Sequence, residues 1–208
     1  MGRHAADVLV CCAYTYSAMI SKASNVASWY LNGKEKIYLP RFFGINKWGE
    51  PVKNKLQSCK MIDFKFPFEM RDNQKEIISA YMNNISIDNG GGGIICAGCG
   101  VGKTVIGLNI ASLLKVKTLV IVHKEFLMNQ WIERIKQFLP DATIGTIQGE
   151  KIDINKDIVI GMLQSVSMHK YPDYVFKEFG FVIYDECHHL GARVFSKALR
   201  KTNYKFTL

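Results

Sequence analysis

The sequence predicts an α/β fold, a mostly parallel sheet flanked by helices, with a small basic and aromatic-rich lobe at the amino end. From Ile94 onward, strand-length apolar runs alternate with segments of helical period, as in a parallel sheet wound by right-handed crossovers. A glycine-rich stretch, Ala97-Gly98-Cys99-Gly100-Val101-Gly102-Lys103-Thr104, separates the first such run from a long helical segment. A later run, Phe181-Val182-Ile183-Tyr184, is apolar on both faces, as a buried parallel strand must be, and ends on Asp185-Glu186-Cys187-His188.

The elements follow in order. Asp72 through Asn84 places Ile77, Ile78, Tyr81 and Met82 at helical spacing. Gly90 through Gly93 reads as a flexible lead into a first core strand, Ile94-Ile95-Cys96, and glycine there also leaves room for close packing. A helix starts at Lys103 and carries Val105, Ile106, Leu108, Ile110, Ala111 and Leu114. Strands are expected over Thr118 to Val122, Thr143 to Ile147 and Asp157 to Met162, with a helix from about Glu125 to Phe138. Beyond His189, a short helix from Ala192 to Lys201 leads to Tyr204 through Leu208, which reads as a further core strand at the point where the chain stops. The expected division is residues 1–61 as an accessory segment and 62–208 as the α/β domain.

Composition fits such a domain: 208 residues, 48% hydrophobic and 22% charged, enough for one full core with a piece appended. The net charge of +9 is uneven, with nine Lys/Arg against three Asp/Glu in residues 1–62. That imbalance suits a polyanionic partner, or simply a solvated lysine surface. Between Ala27 and Met61, Trp29, Tyr30, Tyr38, Phe42, Phe43 and Trp48 are interleaved with Lys34, Lys36, Arg41 and Lys47. Such a mixture can stack bases and neutralise phosphates, but a small β-rich lobe packed on the core is the preferred reading.

The six cysteines, at 11, 12, 59, 96, 99 and 187, lack the spacing of a disulfide framework and read as free thiols of an intracellular protein. Cys96 and Cys99 have C-x-x-C spacing but no second pair, and Cys187-His188-His189 are too close in sequence to converge on one ion, so a zinc site is the weaker reading. Val8 to Ile20 is too short, and too interrupted by Tyr14 to Ser17, to cross a membrane. No membrane partner is expected.

The glycine-rich stretch has the parts of a phosphate cradle. Glycines let backbone N–H groups converge on phosphate oxygens, Lys103 reaches the outer phosphates, and the Thr104 hydroxyl meets Mg²⁺. Its first position is Ala97 where the usual pattern has glycine, while Gly100 and Gly102 fall where the backbone comes closest to the anion. Asp185 and Glu186 leave the carboxyl end of their strand, where ligands of open α/β sheets collect. Asp185 is suited to hold hydrated Mg²⁺ and Glu186 to orient or deprotonate a water, since phosphoryl transfer depends on positioning and charge neutralisation.

With both loops in place, residues 62–208 resemble the first RecA-like lobe of superfamily 2 helicases of the DEAD/DEAH-box (DExH) type. Within them they are similar to the group of XPB-like helicases and poxvirus-type transcript-release helicases. Arg71-Asp72-Asn73-Gln74 looks like the adenine-reading R-x-x-Q motif, Cys99 to Thr104 like motif I, and Asp185 to His188 like motif II. Leu39 to Gly44 looks like an amino-terminal element of the viral members.

The resemblance implies a P-loop NTPase that uses ATP and Mg²⁺. Gln74, helped by Arg71, would read the adenine edge, Gly98 through Thr104 would hold the nucleotide, and Thr104 and Asp185 would hold the metal. Lys103, Asp185 and Glu186 would serve catalysis, with His188 coupling the nucleotide site to the track. Val122 to Trp131 resembles motif Ia and Gln164-Ser165 a later track motif, although His123-Lys124 stand where many relatives carry Pro-Thr. Lys124, Gln164 and Ser165 would then grip nucleic acid, DNA in preference to RNA, by its phosphates. Leu127 and Trp131 read as the core face of the following helix.

The resemblance also implies a second RecA-like lobe, in cis or in trans, that supplies arginine fingers. The 208 residues, ending before motif III, would hydrolyse ATP weakly alone. The alternative expectation is a nucleic-acid-binding module for which nucleotide is a conformational switch. A small-molecule kinase would leave Gln74 and His188 unexplained.

Overall fold

The structure is a computed structural model that describes residues 9–12, 31–33, 36–38, 45, 48–49, 59–188, 196–202 and 204–208. The expected viral-type element, Leu39 to Gly44, most of the basic aromatic segment and the start of the expected helix from Ala192 lie outside the described residues.

The strands, in chain order, are β1 (Leu9–Cys12), β2 (Leu31–Gly33), β3 (Lys36–Tyr38), β4 (Gly91–Cys96), β5 (Thr118–Val122), β6 (Ile144–Gln148), β7 (Lys151–Ile152), β8 (Ile158–Met162), β9 (Phe181–Tyr184) and β10 (Phe206–Thr207). The helices are α1 (Asp72–Asn83), α2 (Lys103–Leu114), α3 (Glu125–Phe138), α4 (Leu163–Met168) and α5 (Ser196–Lys201). One eight-stranded sheet runs β1-β4-β10-β9-β5-β8-β6-β7, and β2 pairs with β3 separately. From β4 through β6 every neighbouring pair is parallel, while β1 and β7 cap the two edges antiparallel. The expected mostly parallel sheet flanked by helices is therefore present.

Its centre has the composition that parallel sheets require. All residues of β5, β8 and β9 are buried, because helices cover both faces. One face packs Ile106, Leu108, Ile110 and Ala111 of α2 with Trp131 and Ile135 of α3 over Val120, Ile160 and Ile183. The other packs Leu119, Ile121, Val159 and Val182 against Leu163, Val166, Phe176 and Ala198.

One expectation needs correcting. Gly91 to Gly93 are not a flexible lead but the first half of β4, buried in the sheet. A Cβ on Gly91 would lie 2.7 Å from Ile85 Cγ2, and one on Gly92 would collide with Thr207 Cγ2. The flexible lead is thus overturned, while the room that glycine leaves for close packing is used by neighbouring chain. Among the described residues no helix is long and apolar enough to cross a membrane.

Candidate functional site

The parallel order puts the carboxyl ends of β4 and β9 on one rim, separated only by β10. At the usual strand spacing, the segments leaving them are about 10 Å apart. The glycine-rich loop and the acidic pair are thereby brought together by topology.

The loop from Ala97 to Gly102 turns β4 into α2. Gly100 and Gly102 have φ of +82° and +90°, conformations that cost glycine little and other residues much. Gly102 is the residue before α2, and the helix has neither a side-chain cap nor an acidic residue in its first turn. Its leading N–H groups are therefore left to an exogenous acceptor, and the helix dipole favours an anion there. Lys103 folds back over the loop, donating from Nζ to Ala97 O at 2.9 Å and Gly98 O at 3.4 Å. Gly98, Cys99 and Gly100 are exposed, whereas Val101, Gly102 and Thr104 are half-buried.

Gln74 backs this loop from α1. Its Nε2 donates to Val101 O at 2.8 Å, and its Oε1 accepts from the Arg71 N–H at 3.0 Å. A Cβ on Gly102 would sit 2.7 Å from Gln74 Nε2, so glycine is required there by contact as well as by φ. Gln74 is buried, which leaves one N–H and one lone pair of its amide uncommitted, while Arg71 is exposed.

Across the rim, Asp185 is half-buried and its N–H continues the sheet to Ile121 O at 3.0 Å. Its Oδ2 accepts from Trp131 Nε1 at 2.8 Å. Trp131 is buried core, as expected, but its polar edge reaches the acidic motif, which periodicity alone had not indicated. Glu186 has a φ of +54°, a strained conformation costing on the order of 1–3 kcal/mol of a kind that clusters at functional sites, although Lys115 adopts a similar one as an ordinary helix C-cap. The exposed His188 places Nδ1 3.3 Å from Glu186 Oε2. Burial first, then the charges of Glu186 and Asp185, hold the Cys187 thiol above its ordinary value, so it is a poor nucleophile.

These residues suit a magnesium-bound triphosphate: an uncapped helix amino end for the anion, and hard oxygen donors at Thr104 and Asp185 for the cation. Among the described residues no group of three or more His, Cys, Asp or Glu is placed to hold a metal by itself. Magnesium typically completes its shell with waters and substrate phosphates, so such a group is not required.

The track candidates occupy the neighbouring strands. Val122 of β5 and Met162 of β8 are paired in register, so Lys124 and Gln164 both emerge just beyond them on the same rim. Lys124 is exposed, with Nζ 5.8 Å from the centre of the Phe126 ring, and Gln164 is exposed at the start of α4. Ser165 is different. It is buried, and its hydroxyl accepts from Gly149 N–H at 2.9 Å, while the Tyr171 hydroxyl donates to Gly149 O at 2.6 Å.

Residues 67–208 match the family model described as "Type III restriction enzyme, res subunit" (ResIII). A protein of Acanthamoeba polyphaga mimivirus named as an ATP-dependent RNA helicase, L396, is 35% identical over 86% of this chain and 34% of its own length. The DNA 3'-5' translocase XPB2 of Sulfurisphaera tokodaii is 30% identical over 87% of this chain and 36% of its own. This chain thus spans about a third of the length of these relatives. The solved SWI2/SNF2 ATPase core of Sulfolobus solfataricus in complex with dsDNA shares the fold, with a TM-score of 0.56 and 19% identity over 73% of this chain and 33% of that one. The resemblance read from the motifs holds: the chain belongs to the ResIII family, among the superfamily 2 helicases.

Proposed function

We propose that this chain is the ATP-binding lobe of a nucleic-acid translocase or helicase, acting on DNA. The observation that carries the reading is the shared rim: an uncapped helix amino end launched by two left-handed glycines, with Asp185 and a strained Glu186 on the same rim across one intervening strand.

ATP binds with its phosphates on the loop from Gly98 to Thr104. Lys103 exchanges its loop carbonyls for the outer phosphates. Gln74, through the N–H and lone pair it has left, reads the adenine edge with Arg71. Thr104, and Asp185 through water, would hold Mg²⁺, which would supply neutralisation of the charge that gathers on the phosphates. Glu186 orients and deprotonates the attacking water, and His188, beside it, passes the state of the site to the rest of the motor. Lys124 and Gln164 contact phosphates of the track without reading bases, which a moving motor requires. Ser165 contributes by holding the track loop in shape. The DNA preference is supported by the likeness to XPB2, named as a DNA translocase.

Transition-state charge is completed by arginines of a second RecA-like lobe, an effect worth about 10³–10⁵ in rate where arginine fingers are measured. The 208 residues alone therefore turn over slowly. The test is made in the enzyme with both lobes. Lys103→Ala should abolish nucleotide binding, and Glu186→Gln should bind nucleotide without turning it over. Normal turnover by either variant sinks the assignment. Stimulation by RNA but not by duplex DNA would overturn the choice of track.

A further inference from the structure

Trp131 lies in the second turn of α3 and is 2% exposed. A buried indole N–H needs an acceptor, and any backbone carbonyl would satisfy it. Here the acceptor is Asp185 Oδ2 at 2.8 Å, on a different element 54 residues away. The far edge of the ring that carries this donor packs against α2, in the same buried cluster as Ile183 of β9. A Cβ on Gly107 of α2 would lie 3.4 Å from Trp131 Cη2 and 3.3 Å from Ile183 Cδ1 of β9. The helix that begins at the phosphate loop and the strand that ends at Asp185 thus close on the same place, and packing sets the direction of the indole N–H.

That bond commits Oδ2. Among the described residues Oδ1 makes no protein hydrogen bond, so the second oxygen keeps its lone pairs for another donor. A carboxylate with one oxygen pinned by an immobile donor points the other in a fixed direction, which is the arrangement that tunes metal-holding carboxylates elsewhere. Resting on the function proposed above, we propose that Trp131 is a positioning residue for the magnesium site: its indole N–H orients Asp185 so that Oδ1 meets the water shell of Mg²⁺. Trp131 also stands two turns beyond Lys124, the residue that caps the amino end of α3.

The experiment replaces Trp131 in the 208-residue chain with 3-benzothienylalanine, which keeps the ring shape but has sulfur in place of N–H, and separately with Phe. Binding of the fluorescent nucleotide mant-ATP is followed by anisotropy in EDTA and across a Mg²⁺ titration, with thermal melting beside it. The expected result is a rise of about tenfold in half-saturating Mg²⁺, with EDTA binding and melting temperature of the benzothienyl variant unchanged. In the wild type, the Trp131 indole N–H resonance should shift when Mg²⁺ is added to the nucleotide complex. Unchanged Mg²⁺ dependence, or an equal loss in EDTA, overturns the positioning role. If Trp131→Phe does not fold, the benzothienyl variant decides. A wild-type chain whose nucleotide binding ignores Mg²⁺ overturns the proposed function itself, a result separate from insensitive variants of a responsive wild type.

Discussion

Gln74 holds the phosphate loop by donating its side-chain amide to the carbonyl of Val101, 27 residues away, at 2.8 Å. The same amide closes the amino end of α1 on the Arg71 N–H, so one buried side chain joins a helix start to the loop. Gln74→Ala removes both bonds and opens space behind Gly102. Losing one buried hydrogen bond costs about 1–3 kcal/mol. Binding of a GTP analogue should weaken by about tenfold through the loosened loop, and that of an ATP analogue by more because it also loses its adenine contact, and hydrogen exchange at residues 98–103 should quicken. Nucleotide titration and exchange mass spectrometry check both.

A second prediction concerns the opposite end of the sheet. The Lys117 side chain is 1% exposed, and its Nζ donates to Glu178 Oε2 at 2.6 Å while lying 5.1 Å from the centre of the Phe179 ring. That hydrogen bond, and then the ammonium charge, lowers the Glu178 carboxyl from its ordinary 4.5. The folded chain therefore binds this proton less readily than the unfolded chain does. The contribution of the pair is complete above the unfolded value and is lost as pH falls through the lowered one. Melting temperature should fall more steeply below pH 4.5 in the wild type than in Glu178→Gln. At pH 7 that variant should lose about 2 kcal/mol by leaving the buried ammonium without its anion, whereas Lys117→Met, similar in volume, should cost much less.

The strands and helices of the central sheet were legible because each buries a continuous apolar run or stripe, and the shared rim of the candidate site because its glycines and acids stand at element ends. What stayed hidden was long-range. Gly91 to Gly93 look like a linker until Thr207 and Ile85 are seen against them. Trp131 has the spacing of a core residue and is one, yet spacing along a helix says nothing of where an indole N–H points. β1 joins the sheet antiparallel through a short apolar stretch with no turn signal to announce its partner. Ser165 stands at a motif position, but only the Gly149 turn reveals what its hydroxyl bonds.

That bond makes Ser165 separable from the track. Ser165→Ala leaves the Gly149 N–H without its acceptor, while the Tyr171 hydroxyl still donates to Gly149 O at 2.6 Å. The expected cost is about 1–2 kcal/mol of stability, read by urea unfolding. Nucleic-acid affinity measured well below the melting temperature should change less than threefold.

Lys201 should show the same separation from a distance. Its Nζ donates to the carbonyls of Val166, Ser167 and His169 at 2.8, 2.9 and 2.8 Å, closing the carboxyl end of α4. Burial, and then the neighbouring Lys197, lowers its pKa, so the amine holds its proton less firmly than a surface lysine does. Lys201→Met should destabilise the chain by about 1–2 kcal/mol and raise exchange in residues 163–169, because three carbonyls lose their shared donor.

Lys124 gives the opposite pattern. It is exposed at the start of α3, beside a Phe126 ring that is 62% exposed, and makes no ion pair among the described residues. Its removal should leave stability within about 0.5 kcal/mol of wild type. If its ammonium neutralises one phosphate of the track, Lys124→Ala releases about one fewer counterion on binding, and the slope of log affinity against log salt flattens by about 0.9 for duplex DNA and 0.7 for a single strand. The loss should be the same for unrelated sequences, since a phosphate contact carries no base information. Filter-binding isotherms between 50 and 200 mM salt on two unrelated duplexes check slope and uniformity together. An unchanged slope would remove Lys124 from the track, and a loss confined to one duplex would make it a reader of bases.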